Sequence, residues 1–223
     1  MIPIRDLIPT QTTPWVTWTI LAANVLVYFV TPSLDSPTGE LFLHRYGLVP
    51  QYFTIESLLT SMFVHGGLAH LFGNMLYLWI FGDNVEDRIG HVRFIVFYLL
   101  CGTMAALVQT IIKPDSLIPM VGASGAISGV LGAYLVLFPR ARVLTLVPLF
   151  VFVTFVEIPA VILLGLWFLY QLLVGVGTLA SVRAQDVGGV AFWAHTGGFA
   201  AGMLTVKMFN RRDQGIKGSR GHG

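Results

Sequence analysis

The stretch GASGAISGVLGAYLVLF, Gly122–Phe138, carries no charged residue and sets glycines at 122, 125, 129 and 132. A glycine-broken apolar run of this kind is tolerated in a membrane when neighbouring helices cover the exposed backbone. At about 100° per residue with Ser124 at zero, Ser124, Gly125, Ser128, Gly129 and Gly132 fall between about 0° and 140°. Ile127, Val130, Leu131 and Tyr134 fall between about 240° and 340°. The segment is segregated by size, which predicts a groove of nearly bare backbone on one side and lipid-facing bulk on the other.

Outward from this segment, five more runs approach the roughly 20 apolar residues that cross about 30 Å of hydrocarbon. They are Trp15–Val30, Leu68–Gly82, Phe94–Ile112, Pro159–Leu179 and Val190–Phe209. The whole chain of 223 residues is 55% hydrophobic and 11% charged, against roughly 25% charged in soluble domains. With a mean hydropathy of +0.77, a water-soluble globule is excluded, and the lipid bilayer is the partner this surface requires. The expected fold class is all-α, a polytopic membrane helical bundle of six transmembrane helices. One membrane domain is expected over 1–209, with a short polar cytoplasmic tail over 210–223.

The linking segments are read more coarsely. Thr31–Ser61 mixes prolines, charges and aromatics and reads as a loop at the membrane surface. Val143–Ile158 reads as a hydrophobic connector dipping into the interface, with a seventh span there as the alternative. Ten of the thirteen Lys and Arg residues fall on one side if both termini are inside, which by the positive-inside rule makes the termini cytoplasmic. Trp15–Val30 has neither the adjacent basic flank nor the cleavage site of a signal peptide. A bacterial plasma membrane is the expected location, given the compact core and the lack of a transit peptide. A net charge of +2 gives no reason to expect nucleic acid. The single Cys101 leaves no internal disulfide to form and reads as packing.

Polar side chains inside spans are costly, and function is the default reason for their retention. His65, His70 and Asn74 open the second segment, Ser124 the fourth, and His195 lies in the sixth. In the topology above they converge in the outer half of the membrane. In the sixth segment Gly198 and Gly202 repeat the four-residue spacing of Gly125 and Gly129, the pattern that lets membrane helices approach closely. Its bulky Phe192, Trp193, Phe199, Met203 and Leu204 take the opposite face. His70 and Asn74, four apart, share one helix face.

These residues have a chemical reading. A serine hydroxyl becomes a useful nucleophile when a neutral imidazole within about 2.6–3.2 Å takes its proton. Ser124 is assigned as nucleophile and His195 as base. His70, Asn74 and the Ser124 backbone N–H, at a helix N-terminus, are assigned to the oxyanion hole. No Asp or Glu lies in the spans near His195, so a dyad is expected rather than a triad.

Blander readings stand beside each residue. Ser124 before glycine also suits a helix cap, and His70 with Asn74 suits inter-helix hydrogen bonding. His65, about 140° from His70 on a helix or in the preceding loop, is read as a structural hydrogen-bonding residue. Glu86, Asp87 and Arg88 read as an interfacial salt-bridge cluster. A zinc protease is set aside because no His-Glu-x-x-His occurs, and no metal or cofactor is expected. A transporter fits less well, because the polar cluster lies toward one face rather than near the midplane.

Gly122-Ala123-Ser124-Gly125, Ala194-His195-Thr196-Gly197-Gly198 and His65-x4-His70-x3-Asn74 together resemble the rhomboid intramembrane serine proteases, as does Glu86-x-Arg88. The resemblance covers nearly the whole chain. It implies a six-helix core, Ser124 as nucleophile, His195 as base, His70 and Asn74 as oxyanion donors, and Gly122, Gly125 and Gly198 as structural residues near the site. It further implies transmembrane protein substrates, cut in or near their spans. Two positions depart from patterns within the family: Glu56-Ser57 stands where the first loop often carries a Trp-Arg pair, and Ser128 where some members place a tyrosine stacked on the base. The expected activity is that of an intramembrane serine endopeptidase; a non-catalytic membrane-helix binding protein using the same pocket is the alternative. Because a gate must border lipid, the fifth segment, with Trp167 and Gln171, and the connector before it are candidates for the element that opens.

Overall fold

The computed structural model describes residues 1–149, 152–180 and 191–210. Six helices match the six expected runs: α1 (Trp15–Val30), α4 (Leu68–Ile89), α5 (His91–Ile112), α6 (Ser124–Leu137), α7 (Ala160–Ala180) and α8 (Phe192–Phe209). By length and composition alone, His91–Ile112 and Ala160–Thr178 suffice to cross a membrane; Trp15–Val30 and Ser124–Leu137 are shorter apolar helices. The second helix continues seven residues past the expected Gly82, to Ile89. Residues 211–223, most of the expected tail, lie outside the described residues.

The surface loop is more ordered than expected. It holds α2 (Pro37–Tyr46), a 3-10 turn at Pro50–Tyr52 and α3 (Ile55–Thr60). Local capping explains both helices. Ser36 Oγ accepts the Gly39 N–H and is followed by Pro37 at the first helical position, while Thr54 Oγ1 accepts the Ser57 N–H. Such caps satisfy donors that a helix start otherwise leaves open.

The connector after α6 amends the all-helical expectation. Strands β2 (Arg142–Leu149) and β3 (Phe152–Pro159) pair antiparallel, and β1 (Ile2–Asp6) joins β2 to give the order β1-β2-β3. Val143, Thr145, Val147, Val153, Thr154, Phe155 and Val156 supply the β-branched and aromatic residues that favour strands. Val143 and Thr145 are buried, whereas Phe152, Val153, Phe155 and Val156 are exposed. The apolar run is therefore explained by a hairpin with an apolar outer face.

Helix α6 is the centre of the bundle. Its glycines meet α8 at backbone level: a Cβ at Gly198 would collide with the Gly125 carbonyl oxygen, and one at Gly202 with that of Gly129. The small-residue seam is thus where the glycine spacing puts it. Its other face departs from expectation, because Ile127, Val130, Leu131 and Tyr134 are all buried. They pack within the bundle rather than against lipid, as a helix apolar on all sides does at the core of a larger assembly. Phe199 of α8 is likewise buried, stacked on Phe168 of α7 with ring centroids 4.7 Å apart. Cys101 is buried against Gly129.

At the end of the bundle away from Ser124, the acidic cluster is a cap rather than a set of salt bridges to Arg88. Glu86, fully buried, accepts the Val16 and Thr17 N–H groups at 3.0 and 2.7 Å and the Thr17 hydroxyl at 2.6 Å. It also pairs with His91 at 2.5 Å. Asp87 accepts the Thr12 N–H and hydroxyl. Since α1 begins after Pro14 with no side-chain cap of its own, a carboxylate from α4 satisfies its first donors and meets the positive end of its dipole.

Candidate active site

The strand-like segment before α6 turns sharply into it at Gly122, whose N–H donates to the Ser61 carbonyl at 2.8 Å. Gly122 has φ +114°, a conformation L side chains rarely adopt. It also leaves room: a Cβ there would lie 2.7 Å from His70 Cε1 and Nε2 and 3.7 Å from Asn74 Nδ2. Two residues on, Ser124 is the first residue of α6, so its backbone N–H has no partner within the helix.

Across the glycine seam, α8 starts at Phe192, and the Ala194 N–H near that start donates to Gln109 Oε1 of α5 at 3.2 Å. His195 then faces α6, with Nε2 2.7 Å from Ser124 Oγ. A hydroxyl and an imidazole nitrogen at this distance form one short hydrogen bond. On the other edge of the ring, His195 Nδ1 lies 3.0 Å from Gln171 Oε1. An amide oxygen only accepts, so Nδ1 carries the proton and Nε2 is the acceptor for the serine hydroxyl.

His70 and Asn74 stand one turn apart on α4. The Gly66 N–H reaches His70 Nδ1 at 3.4 Å. A backbone N–H can only donate, so a neutral His70 carries its proton on Nε2, the nitrogen beside Gly122. Asn74 gives one amide hydrogen to the His70 carbonyl at 3.0 Å and keeps the second. His65 is buried in the loop before α4, with Nδ1 3.2 Å from the Phe63 carbonyl oxygen and its ring edge-on to His70. That position suits packing and hydrogen bonding.

A cavity of about 620 Å³ joins these groups, lined among others by His70, Asn74, Tyr77, Ser124, Gln171 and His195. The expected residues Ser124, His195, His70 and Asn74 therefore share one wall-to-wall space, with His65, Gly122, Gly125 and Gly198 packed behind it. Ser128, at the tyrosine position, turns back on its own helix and donates to the Ser124 carbonyl at 2.6 Å. The ring beside His195 comes from Trp167 of α7, its centroid 5.9 Å from that of His195 and tilted by 35°. Sequence reasoning placed Trp167 and Gln171 on a candidate lipid-bordering gate and missed their contact with His195. The available signal was their four-residue spacing, which sets both on one helix face.

A helical bundle built on a glycine seam, with a serine and a histidine in hydrogen-bonding contact across it, defines a class of polytopic membrane protein. The Rhomboid domain family model matches residues 52–212, and the chain belongs to the rhomboid family. It is similar to Rhomboid protease GluP of Bacillus subtilis, 33% identical over 55% of this chain and 24% of the relative. It is also similar to mitochondrial Rhomboid protein 1 of Saccharomyces cerevisiae, 32% identical over 84% of this chain and 51% of the relative. Human mitochondrial Presenilin-associated rhomboid-like protein is 31% identical over 60% of this chain and 36% of the relative. The chain spans about a quarter to a half of the length of these relatives.

Proposed function

We propose that the chain is an intramembrane serine endopeptidase that hydrolyses peptide bonds in or near transmembrane segments of other membrane proteins. The observation that carries this reading is the 2.7 Å contact between Ser124 Oγ and His195 Nε2 in a cavity shared with His70 and Asn74. His195 Nε2 takes the hydroxyl proton as Ser124 Oγ attacks the scissile carbonyl carbon. Negative charge then develops on the carbonyl oxygen, and His70 Nε2–H, the second amide hydrogen of Asn74 and the Ser124 N–H are the donors for it. The His195 imidazolium protonates the leaving amine as the C–N bond breaks. Water, deprotonated by the same imidazole, attacks the acyl-serine; the acid product leaves and Ser124 recovers its proton. The cavity supplies the polar volume this water needs in an apolar chain.

The proposed setting is a bacterial plasma membrane with both termini cytoplasmic, supported by the lysine and arginine asymmetry. This puts the cavity toward the outer face. The test is cleavage of a single-span substrate by the purified chain in detergent, with Ser124→Ala and His195→Ala as variants and a fluorophosphonate as label. The parent is expected to cut and to be labelled, and both variants to do neither. Cutting by Ser124→Ala at the parental rate refutes the assignment, and binding without cleavage by the parent favours a non-catalytic helix-binding role.

A further inference from the structure

Helix α7 presents two different surfaces. Leu166, Leu169, Tyr170 and Leu173 are exposed, as expected of residues facing lipid. On the opposite side Trp167, Phe168 and Gln171 turn toward α8, where Phe168 stacks on Phe199 and Trp167 lies against both Phe199 and His195. Gln171 is the anomaly in this apolar face. Its residue is only 7% exposed, and a buried amide carries a desolvation cost unless its polar atoms find partners. Its oxygen has one in His195 Nδ1, 3.0 Å away.

We infer that Gln171 is a positioning residue for the base, so that the proposed serine–histidine pair operates as a Ser124–His195–Gln171 line with a neutral third member. The inference rests on the proteolytic reading of the site, and its tests separate the two. A neutral imidazole has one proton and two nitrogens, and only the form with Nε2 free can accept from Ser124 Oγ. An acceptor fixed at Nδ1 selects that form and sets the ring plane, as a carboxylate does in other serine hydrolases. Trp167 adds a wall against rotation out of that plane. Because the acceptor sits on α7 while nucleophile and base sit on α6 and α8, the register of the base depends on α7 being docked. An α7 displaced from α8 would leave the nucleophile in place with an unoriented base.

The amide also differs from a carboxylate in charge. The described groups facing His195 are Ser124 of α6, Trp167 and Gln171 of α7, and, across the cavity, the titratable His70 and Tyr77 of α4. None of these is acidic. Gln171→Glu keeps an acceptor and adds a negative charge that favours the imidazolium, so the acid limb of the kcat profile should move to higher pH. Gln171→Leu removes the acceptor at similar volume. It is expected to lower kcat about 10- to 100-fold with KM little changed, the scale of one buried acceptor lost.

Turnover and ring state are read separately. In histidine-labelled protein, ¹⁵N shifts assigned by comparison with His195→Gln should show His195 protonated at Nδ1 in the parent and a mixture of tautomers in Gln171→Leu. Parental kcat in Gln171→Leu, an unchanged His195 tautomer in that variant, or an unmoved acid limb in Gln171→Glu each overturns the inference. If the parent neither cuts nor takes the fluorophosphonate, the proteolytic reading fails, while the tautomer measurement still decides whether Gln171 sets the ring.

Discussion

The Ser124–His195 contact is only as short as the α6–α8 seam allows, and Gly202→Ala tests that dependence at a distance. Gly202 lies seven residues beyond His195, about 10 Å along the helix at about 1.5 Å per residue. The added methyl would collide with the Gly129 backbone oxygen, and backbone cannot rotate away as a side chain can. Restoring ordinary contact requires the helices to part by roughly 1.5 Å, an overpacking change of about 1–3 kcal/mol. If α8 moves as a rigid rod, the 2.7 Å Oγ–Nε2 distance grows by that amount, beyond the roughly 3.0 Å limit of a good hydrogen bond from a hydroxyl. A misplacement of about 1 Å can cost about 10²-fold in rate, so the expected outcome is a cleavage rate lower by about two orders of magnitude in protein that still folds. The assay is single-span substrate cleavage in detergent beside a thermal unfolding curve. Gly165→Ala on α7 is the control: nothing lies within 4 Å of its Cβ position, so it should retain parental activity and unfold no earlier. Parental activity in folded Gly202→Ala would refute the claim that the glycine seam sets the reach of the base.

Gly122→Ala should abolish most cleavage, because its Cβ would meet the His70 ring at 2.7 Å in a positive-φ backbone; fluorophosphonate labelling should fall in parallel, and normal labelling would count against His70 as an oxyanion donor. Glu86→Ala leaves the half-buried Val16 N–H and the buried Thr17 N–H without acceptors, and should destabilise by about 3 kcal/mol while the folded fraction cuts normally, measured by denaturation and active-site titration. Tyr134→Phe removes a 2.7 Å hydrogen bond to the Asp6 carboxylate, a loss of about 1.5–3 kcal/mol readable in the same denaturation experiment. Burial raises the Asp6 carboxyl above its ordinary value of 3.8 despite that hydrogen bond. The folded state therefore binds the proton more tightly, and Asp6 makes stability fall as pH rises from about 4 through its raised value. Asp6→Asn should flatten that part of the stability–pH curve, and an unchanged slope would contradict the assignment.

The sequence revealed most where a residue type had few physical alternatives. Glycines four apart in an apolar helix have little use other than close backbone approach, and Gly125, Gly129, Gly198 and Gly202 meet as that predicts. Histidines in a lipid-bound chain need partners, and His195 has two. It was less informative where one pattern serves two environments. Ile127, Val130, Leu131 and Tyr134 suit lipid and protein equally, so side-chain size could not reveal that α6 is enclosed on all sides. Val143–Ile158 is apolar as a strand, a span or an interfacial segment, and only strand pairing with Ile2–Asp6 and within the hairpin distinguishes them. Glu86 beside Arg88 suggests an ion pair in one dimension, while its partners, Val16 and Thr17, lie about seventy residues away.

The two helices that bound His195 are held by different kinds of contact, and this difference connects fold to chemistry. Against α6, α8 rests on backbone: at Gly198 and Gly202 glycine faces a carbonyl oxygen, which cannot rotate away as a side chain can. Against α7 it rests on side chains, the Phe168–Phe199 stack, the Trp167 ring and the Gln171 amide. Backbone contact fixes a distance, which the Oγ–Nε2 approach needs. Side-chain contact fixes an orientation and can be broken and remade without unfolding a helix. A serine hydroxyl and an imidazole held only by the seam would stay near each other with the wrong nitrogen free part of the time. Proximity and protonation state are thus assigned to separate interfaces, and substitutions in the two should fail differently: seam variants by losing the contact, and α7 variants by keeping it with the proton on the wrong side of the ring.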